Sequence, residues 1–163
     1  MAKGSGIIVS TPIRGVKTEG IISGTDKPGT IMQIKAATEP VNGRFTWEKY
    51  DRSYDAQTGL IAVLLPNDLI GQIATTAYVT GERCFLYFPA MGEELNCLLK
   101  DITGTASDQD YAIGDYLEVD DGTGKLQDAS AGTGQNYSTP FVLLETITDL
   151  AADQLVHCMY TGH

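Results

Sequence analysis

RCFLYFPAMGEELNCLLK, residues 83–100, is the stretch on which the fold class turns. Apolar and mixed positions alternate on both sides of Pro89-Ala90-Met91-Gly92, and a period of two marks half-buried strands. With a loop of about four residues, Phe88 would stand opposite Glu93, Leu86 opposite Leu95 and Cys84 opposite Cys97. One face then carries Cys84, Leu86, Phe88, Leu95, Cys97 and Leu99. The other carries Arg83, Phe85, Tyr87, Glu94, Asn96 and Lys100. One apolar and one mixed face is the pattern of a hairpin in a β-sandwich or barrel.

Downstream, a second hairpin is written in turn chemistry. Residues 115–119 form a strand, Asp120-Asp121-Gly122-Thr123-Gly124 the turn and residues 125–128 the return. Residues 129–139 are a Gly- and Ser-rich loop. Final strands are expected at 140–148 and 154–160, joined by a turn or single helical turn at 149–153. Upstream, residues 60–65 are a continuous apolar run closed by Pro66-Asn67-Asp68, which predicts a strand buried on both faces and then a turn.

The chain before about Gln57 is broken repeatedly by Gly and Pro, with short β-like pieces at 6–10, 20–23 and 30–36. Ile31 and Ile34 do not alternate cleanly. Phe45 and Trp47 suit a strand, while Trp47, Tyr50 and Tyr54 also match one helical face, and the pattern leaves both open. No internal sequence repeat stands out. The expected organisation is an irregular, extended N-terminal arm with an aromatic contact segment over 1–57, and an all-β barrel or sandwich body over 58–163.

Composition agrees with short strands and many turns: 18 glycines without a collagen-like period in 163 residues, at an ordinary apolar fraction of 42%. The formal charge of -10, with no cluster of Lys or Arg, argues against nucleic acid and anionic membranes as partners. No run approaches the roughly 20 apolar residues that cross a bilayer. The apolar run Ile7-Ile8-Val9 is too short for a secretory signal, so synthesis in the cytosol is expected. Three cysteines, Cys84, Cys97 and Cys158, without CxxC spacing fit reduced thiols. Cys84 and Cys97 would face each other, close enough to oxidise, although two small buried hydrophobes are the plainer reading.

Patterns that could carry chemistry each have a simpler structural account. Gly122-Thr123-Gly124-Lys125 has part of a phosphate loop, but Leu126 stands where Ser or Thr is needed and a strand follows. Ser107-Asp108-Gln109-Asp110 and Asp120-Asp121 do not match a calcium loop. His157 lies between Val156 and Cys158 in an expected strand, so its ring and the Cys158 thiol point to opposite faces. His163 is the last residue, and there is no GxSxG elbow. No catalytic, cofactor or metal residues are therefore expected. Trp47, Tyr50 and Tyr54 could stack on a sugar or fill a core. Beside Arg44, Lys49 and Arg52 they match best the mixture enriched at protein interfaces.

Residues 112–119 (AIGDYLEV), Gly124-Lys125-Leu126, a Gly/Ser/Thr-rich loop and Phe141-Val142-Leu143-Leu144-Glu145 together resemble the capsid decoration, or cement, proteins of tailed phages. The resemblance covers roughly the last hundred residues and lies in turns and apolar positions. It implies a homotrimer on the outer surface of an icosahedral capsid, made in the host cytoplasm and bridging major capsid subunits. It also implies an N-terminal arm that pairs with exposed sheet edges. On this reading Ile7, Ile8, Val9, Trp47, Tyr50 and Tyr54 contact the partner. The alternatives are a head-fibre or host-attachment module that binds carbohydrate, and a trimeric β-fold nucleotide hydrolase. The latter needs Asp, Ser and Arg motifs at subunit junctions, and no matching set is visible.

Overall fold

A computed structural model describes residues 7–9, 14–51, 61–102, 109–129 and 141–162. Among them are the strands β1 (Val16–Ile22), β2 (Ile31–Ile34), β3 (Thr46–Lys49), β4 (Ala62–Leu65), β5 (Arg83–Phe88), β6 (Glu94–Leu99), β7 (Tyr116–Val119), β8 (Leu126–Asp128), β9 (Phe141–Leu143) and β10 (Gln154–Tyr160). One short 3-10 turn, Asp68–Ile70, follows β4. The all-β expectation holds.

The strands close into two barrels, β1-β3-β2-β4-β5 and β10-β6-β8-β7-β9. Both follow one plan. In each, the first strand runs parallel to the third (β1 with β3, β6 with β8), and every other pairing is antiparallel. The chain is thus a tandem repeat of topology that the sequence does not display. Closure gives each of these strands a neighbour on both sides over at least part of its length.

This architecture corrects the expected organisation. Residues 16–49, read as an irregular arm, supply three strands of the first barrel. Their lack of alternation has a physical cause: Ile31 packs into one core and Met32 into the other, so β2 is apolar on both faces. The chain divides between β5 and β6 rather than at residue 57.

The hairpin expected at 83–100 is also absent. β5 and β6 exist where alternation places them, but β5 pairs with β1 and β4, whereas β6 pairs with β10 and β8. Alternation fixes which face of a strand is buried and says nothing of its neighbour. Residues 89–93 therefore link the barrels. By contrast, the hairpin expected from the turn at 120–124 does form: β7 and β8 pair antiparallel, with Leu117 opposite Asp128 and Val119 opposite Leu126. Residues 154–160 are β10 as expected, while among the described residues 141–148 only Phe141–Leu143 is strand.

Two cores result. Ile22, Met32, Trp47, Ala62, Leu64, Cys84 and Leu86, drawn from all five strands, fill the first barrel together with Tyr78. Leu95, Cys97, Leu99, Leu117, Leu126, Phe141, Leu143, Val156 and Cys158 fill the second. The second core continues onto the outside of the first barrel through Ile31, Val63, Leu65 and Tyr87. β4 is buried at all four positions because Ala62 and Leu64 face inward and Val63 and Leu65 face the other barrel. That double burial is what the apolar run 60–65 predicts.

Backbone hydrogen bonds stitch the barrels together. Leu98 N–H donates to Gly29 O (3.0 Å), Ile31 N–H to Gly124 O (2.7 Å) and Gly122 N–H to Tyr50 O (3.1 Å). The contact at Gly124 is close enough to require glycine. Its φ is +64°, and a Cβ there would stand 2.3 Å from the Ile31 carbonyl oxygen.

Candidate partner-binding surface

The residues expected to meet a partner do not share a surface. Ile7–Val9 forms an antiparallel bridge with β6 of its own chain, Ile8 opposite Leu95. Asn96 N–H donates to Ile7 O (2.7 Å) and Val9 N–H to Glu94 O (3.0 Å). Ile7 is buried in the second core, and only Val9 is exposed. The strand addition expected of an arm occurs, but within the molecule, against the part of β6 that β8 leaves unpaired.

Trp47 is 2% exposed and meets Phe88 edge-on, with ring centroids 5.7 Å apart. The ring is buried in the first core while Lys49, at the end of the strand, is exposed, so the Trp47 ring is not on the surface beside it. Tyr50 is half-buried against the second core. Tyr54 lies outside the described residues. No aromatic platform is assembled from the described members of this cluster.

The chemical candidates also take structural places. Asp120 holds its turn: its carbonyl accepts Gly124 N–H (3.1 Å) and its carboxylate accepts the Thr123 hydroxyl and Lys100 Nζ. Lys125 reaches back to Asp153. Asp110 accepts Asp149 N–H at 3.0 Å; Ser107, Asp108 and His163 lie outside the described residues. His157 points outward and meets Glu94 at 2.9 Å through Nε2, while Cys158 is buried on the opposite face. Among the described residues no three His, Cys, Asp or Glu converge as metal ligands. Cys84 and Cys97 fill different barrels and do not face each other, because β5 and β6 do not pair. Cys97 instead adjoins Cys158, and burial, then the neighbouring thiol, pushes its pKa well up, so the thiol stays protonated.

A surface that the sequence reading missed stands out in the connection between β4 and β5. Leu69 is 74% exposed, Ile70 70%, Ile73 59% and Val79 60%. Isolated exposed aliphatics are ordinary; four within one connection make it a candidate interaction surface. The connection is well built. Gln72 accepts Asn67 N–H (2.7 Å) through Oε1 and donates to Thr76 O (3.0 Å) through Nε2. Tyr78 is buried in the first core and donates its hydroxyl to Leu65 O at 2.8 Å. Beside the exposed residues lies a groove of about 460 Å³, lined by Ile7, Ile8, Leu65, Pro66, Ile73 and Ala74, with Lys17 and Asp68 also in its wall. The sequence held one signal. Leu69 and Ile70 follow turn residues and belong to no alternating pattern.

No protein-family model and no curated protein sequence matches the chain. A solved structure does, the N base of the head fiber protein gp8.5 of bacteriophage phi29. It shares 11% identity at a TM-score of 0.51, over 91% of this chain and 95% of that one. The likeness spans both barrels and establishes a shared fold.

Proposed function

We propose that the protein is a structural component of a tailed-phage virion, seated on the outside of the head as a homotrimer and carrying out no chemistry. The observation that carries this reading is the two-barrel fold, which it shares across nearly its whole length with the base of a phage head fiber. Acidic composition and the decoration-like pattern over residues 112–145 support it independently. Two placements follow: a cement protein that bridges major capsid subunits, and the base on which a fibre stands. The fold likeness favours the second. The sequence pattern that favours the first covers only the latter part of the chain, most of it in the second barrel.

Incubating the purified protein with heads assembled from the major capsid gene of the same genome tests the proposal. Saturable co-sedimentation with heads is the expected result, and no binding at any ratio overturns it. Electron cryomicroscopy of decorated heads separates the placements: density across capsid subunit boundaries supports cement, and a local seat with a projecting axis supports a fibre base. A specific glycan-array hit by the isolated protein would favour a carbohydrate-binding module instead. Turnover of any member of a nucleotide panel would overturn the non-catalytic reading.

A further inference from the structure

We infer that the β4–β5 connection is the surface through which one copy of this chain binds another. The inference deepens the self-association in the proposed function and does not depend on the head as partner. Two features lie side by side: Leu69 and Ile70 project from the short 3-10 turn at 74% and 70% exposure, and the groove walled by Ile7, Ile8, Leu65 and Ile73 opens next to them. A protruding apolar pair beside a largely aliphatic recess lets copies join head to tail, the pair of one entering the recess of the next, and a contact of that kind closes into a ring such as the proposed trimer.

Charge selects a second copy over a foreign protein. The chain carries -10, so two copies repel wherever charged surfaces approach. Residues 66–81 contain a single charged residue, Asp68, although the chain has 21 acidic and 11 basic residues. Lys17 stands in the same groove wall, so Asp68 of one copy can meet Lys17 of the other. Depletion of charge around exposed aliphatics is the composition of an interface centre. It also lets an acidic protein meet itself without bringing like charges together.

Sedimentation velocity on the full chain tests this, alone and with Leu69→Lys/Ile70→Lys. Both parent side chains are exposed, so folding should survive, and near-UV circular dichroism checks that it does. The wild type should sediment as a concentration-dependent oligomer, strengthened by added salt as the repulsion is screened. The double variant should remain monomeric. Its two lysines lower the net charge magnitude, so a purely electrostatic association would tighten instead. A wild type that stays monomeric at its highest soluble concentration overturns the inference, and so does a folded variant that associates unchanged. A monomeric wild type whose head binding is lost in the variant places the patch against the shell. That too overturns self-contact while leaving the virion reading intact. Self-association without head binding has the opposite consequence.

Discussion

At the residue scale, Glu93 shows how far a side chain can depart from its apparent role. In sequence it opens an expected strand, opposite Phe88 across the turn. In the structure it is fully buried and fastens the linker between the barrels. Its carboxylate accepts the Tyr87 hydroxyl (2.7 Å), Ala90 N–H (2.7 Å), Gly15 N–H (3.1 Å) and Arg14 N–H. Burial alone would raise its pKa. The Tyr87 hydroxyl and the three amides outweigh burial and hold it below the usual carboxylate value. Glu93 in turn helps push the Tyr87 hydroxyl, after burial, up to about 12. A carboxyl that ionises more readily when folded stabilises fully above the ordinary carboxylate range, and that contribution drains away as pH falls through and below it. Glu93→Gln should therefore cost about 2–3 kcal/mol at neutral pH, with the difference from wild type closing in acid. Urea titrations at several pH values measure this, and a pH-independent difference would contradict it. Trp47 makes the complementary case. Sequence neighbours suggested a contact residue, whereas the ring fills the first core with its Nε1 unpartnered among the described residues. Trp47→Phe should thus lose little beyond a change of volume, about 1–1.5 kcal/mol. Trp47→Ala should lose about 3–5 kcal/mol. As the only tryptophan, Trp47 should show a blue-shifted emission unmoved by partner binding, and quenching by a bound partner would restore the contact reading.

At the element scale, the sequence predicts two hairpins and one of them forms. Residues 116–128 succeed because the turn is specified locally. Asp120 accepts from Thr123 and Gly124, and positive-φ glycines sit where the turn needs them. For residues 83–99 the alternation was right and the partner wrong. The choice between a hairpin and a step into a second barrel depends on strands sixty residues away, such as β1 and β10. That information is non-local, and a pattern of period two cannot contain it. The same turn offers a matched test of the barrel contact. Gly122 and Gly124 have similar φ angles, +72° and +64°, but a Cβ at Gly122 meets nothing within 4 Å, while one at Gly124 meets the Ile31 carbonyl. Gly122→Ala should cost only the backbone strain, about 1–2 kcal/mol. Gly124→Ala should cost clearly more, because backbone must shift and the Ile31–Gly124 hydrogen bond breaks. Equal chemical-denaturation midpoints for the two variants would refute a tight contact at this turn.

At the scale of the whole molecule, the repeat was invisible because the barrels share connectivity and little else. Strands as different as VKTEGII and ELNCLL open them. The all-β class was legible, since it needs only glycine-punctuated apolar runs. The missed surface on the β4–β5 connection was hard to read because exposure is set by what the rest of the chain fails to cover. The cores also bear on how the repeat behaves. Ile31, Val63, Leu65 and Tyr87 of the first barrel complete the second core, and Ile7–Val9 closes the open part of β6. Separated, the second barrel would expose those apolar contacts and leave a strand edge unpaired, both of which favour aggregation. The intact chain should therefore unfold in a single calorimetric transition, with van't Hoff and calorimetric enthalpies in agreement. Residues 94–163 expressed alone should lack the near-UV signature of fixed packing. Two resolved transitions, or a well-packed isolated second barrel, would mean that the barrels are stable units joined by a weak seam. The stitching bonds at Gly29, Gly124 and Tyr50 would then set orientation rather than stability.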